Sequence, residues 1–93
     1  MRSRKKYEGL DWLLRVDGCC EHPSYDEEPS YDEADLKQLV GGDFGIIEFD
    51  HYSVVFCKNP PDSKKSVNLQ ASLVTGHFLV GDVLIVNPIN LYL

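Results

Sequence analysis

The stretch FGIIEFDHYSVVFCK, Phe44–Lys58, decides the fold of this 93-residue chain. In its first half, Phe44–Asp50, apolar side chains alternate with acidic ones, which is the two-residue period of a strand with one buried face. Its second half, Tyr52–Lys58, is apolar on both faces and is typical of an interior strand. Only Asp50-His51 lies at the joint between the two halves. We therefore predict a tight antiparallel hairpin.

The residues before the hairpin predict the principal helix, over about residues 31–40. Ser30 and Glu33 match a capping box, in which the serine side chain caps the third amide and the glutamate returns to the serine amide. Three apolar residues follow at i, i+3 and i+4 and form one stripe: Leu36, Leu39 and Val40. Gly41-Gly42 then ends the helix, because glycine readily adopts the left-handed conformation of a helix end.

The flanking segments complete a small α+β domain over residues 10–93. Asp11–Asp17 predicts a first strand, and Phe78–Pro88 predicts a last one. Ser66–Thr75 is either a short helix capped by Asn68 or a bent strand. The expected architecture is a mostly antiparallel sheet of about four strands with the principal helix on one face, and with a second short helix under the first interpretation.

Residues 19–30 predict an acidic loop that contains a duplicated pentad. PSYDE occurs at Pro23–Glu27 and again at Pro29–Glu33, and the proline at 29 prevents a helix from continuing out of the first copy. Between Tyr7 and Asp35 the chain has ten acids and one basic residue, and its net charge is −6. Such a body has no basic face for phosphates, so we do not expect it to bind nucleic acid.

Residues 1–9 predict a flexible basic arm. Its four cations are Arg2, Arg4, Lys5 and Lys6. A cluster this short is a solvated terminus, a nuclear localisation patch or a weak contact with nucleic acid. No apolar run approaches the roughly 18 residues that cross a bilayer, so no membrane partner is expected.

The cysteines and histidines form no recognisable site in the sequence. Cys19 and Cys20 are adjacent, and a third cysteine leaves an odd number, so reduced thiols in a cytoplasmic or nuclear setting are expected. Cys19, Cys20 and His22 lack a second ligand pair at the spacing of a zinc site. Cys57, in the middle of a strand, reads as a small buried residue. We predict no catalytic residue, metal or cofactor, and hence no enzyme.

Five short motifs, in order, resemble a known family. They are Arg15–Gly18, Leu36–Gly42, Ile47-Glu48, Asn68 with Ala71, and Val80–Val83. In this order they resemble the small proteins classified as domain of unknown function 3846, over about residues 11–88. That family is typical of phages, plasmids and other mobile elements, and occurs in some large viruses. The resemblance implies no known activity, but it implies an accessory protein that acts on host components.

Two hypotheses on function follow from the sequence. The first is a non-enzymatic protein that binds a host protein through its acidic loop and helix start, with these contact residues: Tyr25, Asp26, Glu27, Glu28, Tyr31 and Asp32. The alternative is a module that binds a nucleotide-like ligand beside Gly41, Gly42 and Asn68. A homodimer is compatible with either, because a chain this small has difficulty covering its apolar strand surface.

Overall fold

The computed structural model of the protein describes residues 11–23 and 29–93, and within them it has an α+β fold, as predicted. The strands are β1 (Trp12–Leu14), β2 (Cys20–Glu21), β3 (Phe44–Glu48), β4 (Ser53–Cys57) and β5 (Val83–Val86). The helices are α1 (Glu33–Val40) and α2 (Leu69–Thr75), with 3-10 turns at Asp62–Lys64 and Pro88–Asn90. The predicted basic arm, with Arg2, Arg4, Lys5 and Lys6, lies outside the described residues.

The five strands form one antiparallel sheet in the order β2-β1-β5-β4-β3. The predicted hairpin is confirmed: β3 pairs with β4 from Phe44 opposite Cys57 to Glu48 opposite Ser53. The predicted number of about four strands was one too low. The additional strand, β2, is only two residues long and pairs with β1 inside the segment that was interpreted wholly as a loop. A strand so short carries no periodic signal.

The principal helix starts two residues later than predicted, and its capping box uses different residues. Asp32, rather than Ser30, is the N-cap: its Oδ1 accepts from the Asp35 amide at 2.9 Å, and the Asp35 carboxylate accepts from the Asp32 amide at 3.1 Å. The reason is tertiary. Tyr31 is held extended because its N–H donates to the Asn90 carbonyl and its carbonyl accepts from the Tyr92 N–H. The helix ends as predicted, at Gly41 with φ 92°.

The ambiguous segment Ser66–Thr75 contains a helix, α2, and Asn68 is its N-cap. Its side-chain oxygen accepts from the Ala71 amide at 3.0 Å. Gly76 then ends the helix at φ 75°, in the left-handed region where glycine is favoured. The two helices lie on opposite faces of the sheet. Along the strands, the residues that pack with α1 alternate with those that pack with α2, as the two faces of a sheet require.

The core therefore has two layers. On one face Leu36 and Val40 of α1 pack on a cluster of sheet residues: Leu13, Val55, Cys57, Leu84 and Val86. On the other face Ala71 of α2 and Leu79 pack on Leu14, Val54, Val83 and Ile85. The burial of Cys57, 4% exposed, confirms its interpretation as a buried strand residue. The carboxyl-terminal tail follows β5 back to Tyr31, where Leu91 packs against the first layer.

Candidate functional site

Of the six residues predicted to contact a host protein, the structure describes two, Tyr31 and Asp32. Tyr25, Asp26, Glu27 and Glu28 lie outside the described residues. Tyr31 is 4% exposed and belongs to the core, so its side chain is not available to a partner. Asp32 is exposed, but its carboxylate already caps α1. The described part of the acidic segment is thus largely occupied with holding the fold together.

Tyr31 is buried beside a polar centre that no local sequence pattern predicts. The carboxylate of Asp11, 6% exposed, accepts from the Asn87 amide at 3.0 Å and from the Asn90 side chain at 2.6 Å. The Tyr31 hydroxyl donates to the same carboxylate at 3.4 Å. A buried carboxylate with several donors is stable only because its charge is compensated in this way. The arrangement fixes the carboxyl-terminal tail to β1 and leaves little of the carboxylate open to a ligand.

The exposed thiol of Cys19, just before β2, is not activated. Cys19 is exposed, and the hydrogen bond and negative charge of Asp17 raise the pKa of its thiol. A raised pKa lowers the thiolate fraction, and the thiolate is the form that attacks electrophiles and binds metals. His22 lies against the Trp12 ring, with ring centroids 4.1 Å apart, and its Nδ1 contacts the Asp11 carbonyl at 3.0 Å. Among the described residues, no three His, Cys, Asp or Glu side chains gather as a metal site.

A cluster of charges closes the loop between β1 and β2. Arg15 forms ion pairs with Glu21 at 3.1 Å and with the buried Asp82 at 3.6 Å. The hydrogen bond to Glu21, together with the negative charges around it, raises the pKa of the Arg15 guanidinium. Asp82 also accepts from the Val16 amide at 3.1 Å. Because each charge has a partner within the cluster, we infer that the cluster stabilises the loop.

The predicted ligand residues lie on opposite faces of the sheet. Gly41 and Gly42 end α1 on one face, whereas Asn68 begins α2 on the other. Asn68 is 1% exposed, and its side-chain nitrogen donates to the carbonyls of Leu14 and Gly81, each at 2.8 Å. Its oxygen caps α2, so the whole amide is used within the fold. These three residues therefore do not form one site for a nucleotide-like ligand, and such a ligand remains a prediction.

The outward face of α2 is apolar, and this feature has no role inside the fold. Leu69 is 72% exposed, Leu73 84% and Val74 56%, and Phe78, just beyond the helix, is 77% exposed. We call these four residues the α2 surface. Apolar patches that are exposed to solvent often mark sites of protein–protein interaction.

Local interactions force α2 to present this face. Asn68 fixes the start of the helix on the sheet, and the small residue Ala71, fully buried, makes the central contact. Thr75, 8% exposed, satisfies its buried hydroxyl by donating to the Ala71 carbonyl at 2.8 Å. Ala71 and Thr75 lie at i and i+4 and so share the inward face. The larger apolar residues between them must point to solvent.

A groove adjoins the α2 surface and shares Phe78 with it. Its volume is about 470 Å³, and Ile47, Phe56, Leu79 and Val80 give it apolar walls. Lys58, Lys65 and His77 also line it, and the described lining contains no carboxylate. Lys65 also forms an ion pair with Asp62 at 3.8 Å. The region therefore offers apolar contact that is bordered by two lysines, Lys58 and Lys65.

The sequence contained a signal for the α2 surface, but the signal was ambiguous. Apolar residues at 69, 73 and 74 have helical spacing, which ordinarily marks the buried face. In this helix the buried positions are instead an alanine and a threonine. Only the tertiary contacts of Asn68 reveal the orientation.

No protein-family model matches the chain, and no curated protein or solved structure is significantly similar to it. The resemblance to domain of unknown function 3846 stays a prediction from short motifs. In the part of the chain that the structure describes, none of the helices is long and apolar enough to cross a membrane.

Proposed function

We propose that the chain is a small non-enzymatic protein that binds another protein through the α2 surface. The single observation that supports this function is the exposure of Leu69, Leu73, Val74 and Phe78 within ten residues of chain. Exposed leucines at these positions contribute almost nothing to folding, and they carry a risk of aggregation. A partner that covers them removes about 25 cal/mol of unfavourable hydration free energy per Å².

The partner that we propose is a host protein with a complementary apolar groove or patch. The motif resemblance to proteins of phages, plasmids and viruses supports a host setting, in the cytoplasm or nucleus. The two lysines at the border of the groove, Lys58 and Lys65, favour a partner that carries acidic groups around its apolar contact. This replaces the acidic helix start as the contact that we favour, because Asp32 and Tyr31 have roles inside the fold.

The test compares two variants that differ in which surface is changed. Leu69→Ser with Leu73→Ser removes apolar area from α2, whereas lysine at Asp26, Glu27 and Glu28 reverses the charge of the acidic loop. Asp32 is left intact in the second variant, because its loss would remove the helix cap. Both variants, together with the original protein, are used to capture partners from host lysate for quantitative mass spectrometry.

We expect a specific host protein to be retained by the original protein and by the loop variant, and to be lost with the α2 variant. The opposite result, loss with the loop variant alone, would return the contact to Asp26–Glu28. A protein retained equally by all three would contradict a role for either surface.

A further inference from the structure

The strand β3 has an open edge, and the register of the hairpin shows which groups face it. Two bonds extend the ladder beyond its ends: the Lys58 N–H to the Asp43 carbonyl at 2.8 Å, and the Phe49 N–H to the Tyr52 carbonyl at 2.9 Å. Bonded pairs alternate along an antiparallel ladder, so odd-numbered residues of β3 bond inward to β4. The residues whose N–H and C=O groups point outward are Phe44, Ile46 and Glu48.

The protection of this edge against pairing is limited to its short length and its acidic side chains. Natural sheet edges are also blocked by proline, lysine, bulges or a covering segment. From Asp43 to Asp50 the sequence is DFGIIEFD, without proline or a basic residue. Among the described residues, no backbone hydrogen bond outside the ladder reaches the three outward residues. The unpaired edge is therefore a template for another strand.

A groove flanks the edge on each face of the sheet. The groove of about 470 Å³ on the α2 face includes Ile47, and a second one of about 390 Å³ on the α1 face includes Ile46. Each also contains a large exposed apolar side chain, Phe78 in the first and Leu93, 72% exposed, in the second. A strand added along β3 would send alternate side chains to these two faces.

We propose that the occupant is β3 of a second copy of this chain, paired antiparallel about a two-fold axis at Ile46. In this register Ile46 lies opposite Ile46, and Phe44 lies opposite Glu48. Every outward N–H and C=O of the three residues in both copies then finds a partner. The register also keeps the α1 faces of both copies on the same side, as a continuous core layer requires.

The bounds of β3, Phe44–Glu48, and the positions of its acidic residues select this register. Glu48 meets Phe44, Asp43 meets Phe49, and Asp50 meets Gly42, so no carboxylate lies opposite another. An axis at Glu48 would oppose the two Glu48 side chains, which is destabilising.

The other two-fold registers leave an outward residue of β3 without a partner in the second β3. With the axis at Phe44 or Gly45, Glu48 would lie opposite a residue that precedes Phe44, and with the axis at Ile47, Phe44 would lie opposite Asp50 in the turn. The axis at Ile46 pairs all three outward residues with residues of the other β3.

Pairing with a second copy also covers part of the apolar surface beside the edge. Two-fold pairing brings Ile46 of one copy beside Ile46 of the other and narrows both grooves, which contain Phe78 and Leu93. Each copy carries a net charge of −6, so mutual repulsion opposes the dimer. Added salt screens this repulsion, and we expect dimerisation to strengthen as ionic strength rises.

The first test is the molar mass of the full chain in solution by sedimentation equilibrium. We expect a species of twice the 10.5 kDa chain mass that becomes more populated with concentration and with salt. Amide hydrogen exchange then locates the interface. The outward amides of Phe44, Ile46 and Glu48 should slow with concentration, whereas the inward amides of Gly45 and Ile47 should be protected throughout. A monomer at every concentration, or a dimer whose outward amides stay fast, would overturn the proposal.

A pair of substitutions at one exposed position isolates the backbone contact. Glu48→Pro removes an outward N–H, and proline is tolerated at an edge strand where that N–H faces solvent. Glu48→Gln keeps the N–H and removes the charge. We expect the proline variant to be at least tenfold weaker in dimerisation and the glutamine variant to match or exceed the original protein. Equal dimerisation of both variants would contradict edge pairing, and circular dichroism verifies that each is folded.

The α2 variant separates this inference from the proposed function. Leu69→Ser with Leu73→Ser should remain dimeric, because neither residue borders β3 or lines its grooves. If that variant becomes monomeric while Glu48→Pro stays dimeric, the second copy binds at the α2 surface and edge pairing is wrong.

Discussion

The substitution Asn68→Ala tests the claim that this residue holds the fold together rather than binding a ligand. Asn68 is buried and makes three side-chain hydrogen bonds, one to the start of α2 and two to carbonyls of other segments. Alanine keeps the backbone and removes all three. The carbonyls of Leu14 and Gly81 are left without their donors in the interior.

The expected loss of stability follows from these contacts. Loss of an N-cap costs about 0.5–2 kcal/mol. A buried polar group left unsatisfied costs about 1–3 kcal/mol, although water that enters the site lowers this for one or both carbonyls. We therefore expect the free energy of unfolding to fall by about 3–5 kcal/mol, which is a large part of the roughly 5–15 kcal/mol of a typical domain.

Urea denaturation followed by circular dichroism measures this change. Asn59→Ala is the matched control, because Asn59 is exposed and should change stability by less than about 0.5 kcal/mol. A loss below about 1 kcal/mol at position 68 would refute the assignment, since the cap alone would account for it.

Asn68→Asp adds a pH test at the same site. The aspartate oxygen still caps α2, but the second oxygen now faces two carbonyls and has no proton to donate when ionised. The amide of Ala71 favours the charged carboxylate, but we expect burial and the two facing carbonyl dipoles to outweigh this one donor. The folded-state pKa of the new carboxyl then lies above its unfolded value of about 3.9. The folded state then binds the proton more tightly, so the variant is most stable below about pH 4 and loses stability as the pH rises through the folded-state pKa. Stability that is independent of pH, relative to the original protein, would contradict this.

Two further predictions concern other parts of the molecule. Leu36→Ala should lower the free energy of unfolding by about 2–5 kcal/mol, because Leu36 is fully buried. Leu73→Ala, the same change at an 84% exposed position, should alter this free energy by less than about 0.5 kcal/mol. Equal losses of stability in urea denaturation would be inconsistent with the described core. Asp17→Asn should lower the pKa of Cys19 and speed its alkylation at mildly alkaline pH, as followed by mass spectrometry. The difference in rate should vanish at high pH, where Cys19 is ionised in the original protein and in the variant. Asp62→Asn, which changes a distant carboxylate, should leave the rate unchanged.

The sequence predicted the parts of the fold that depend on local pattern. The alternation in Phe44–Lys58 was sufficient for the hairpin, and Gly41-Gly42 marked the end of α1. The start of α1 could not be predicted locally, because Tyr31 is held extended by the tail some sixty residues later. The acids Asp32 and Asp35 both suit a helix start, and the choice between two overlapping capping boxes was made by that distant contact.

The candidate site could be predicted less well, because it depends on orientation. Asn68 was predicted as a cap only under the helical interpretation of Ser66–Thr75. Its side chain also bonds to two carbonyls that are far apart in sequence, and those bonds turn the apolar side of α2 outward. Tyr31 in an acidic segment was interpreted as a surface residue and is instead buried on Asp11. No local pattern distinguishes these outcomes.

Site-specific photo-crosslinking tests the α2 surface most directly. A photoreactive phenylalanine analogue replaces Leu73 on α2 in one protein and Ala34, which is exposed on α1, in the other. Each is irradiated in the host cell, and the crosslinked products are identified by mass spectrometry. A host protein crosslinked from position 73 and absent from position 34 is the predicted result. Equal products from both positions, or no host protein from position 73, would contradict the central claim.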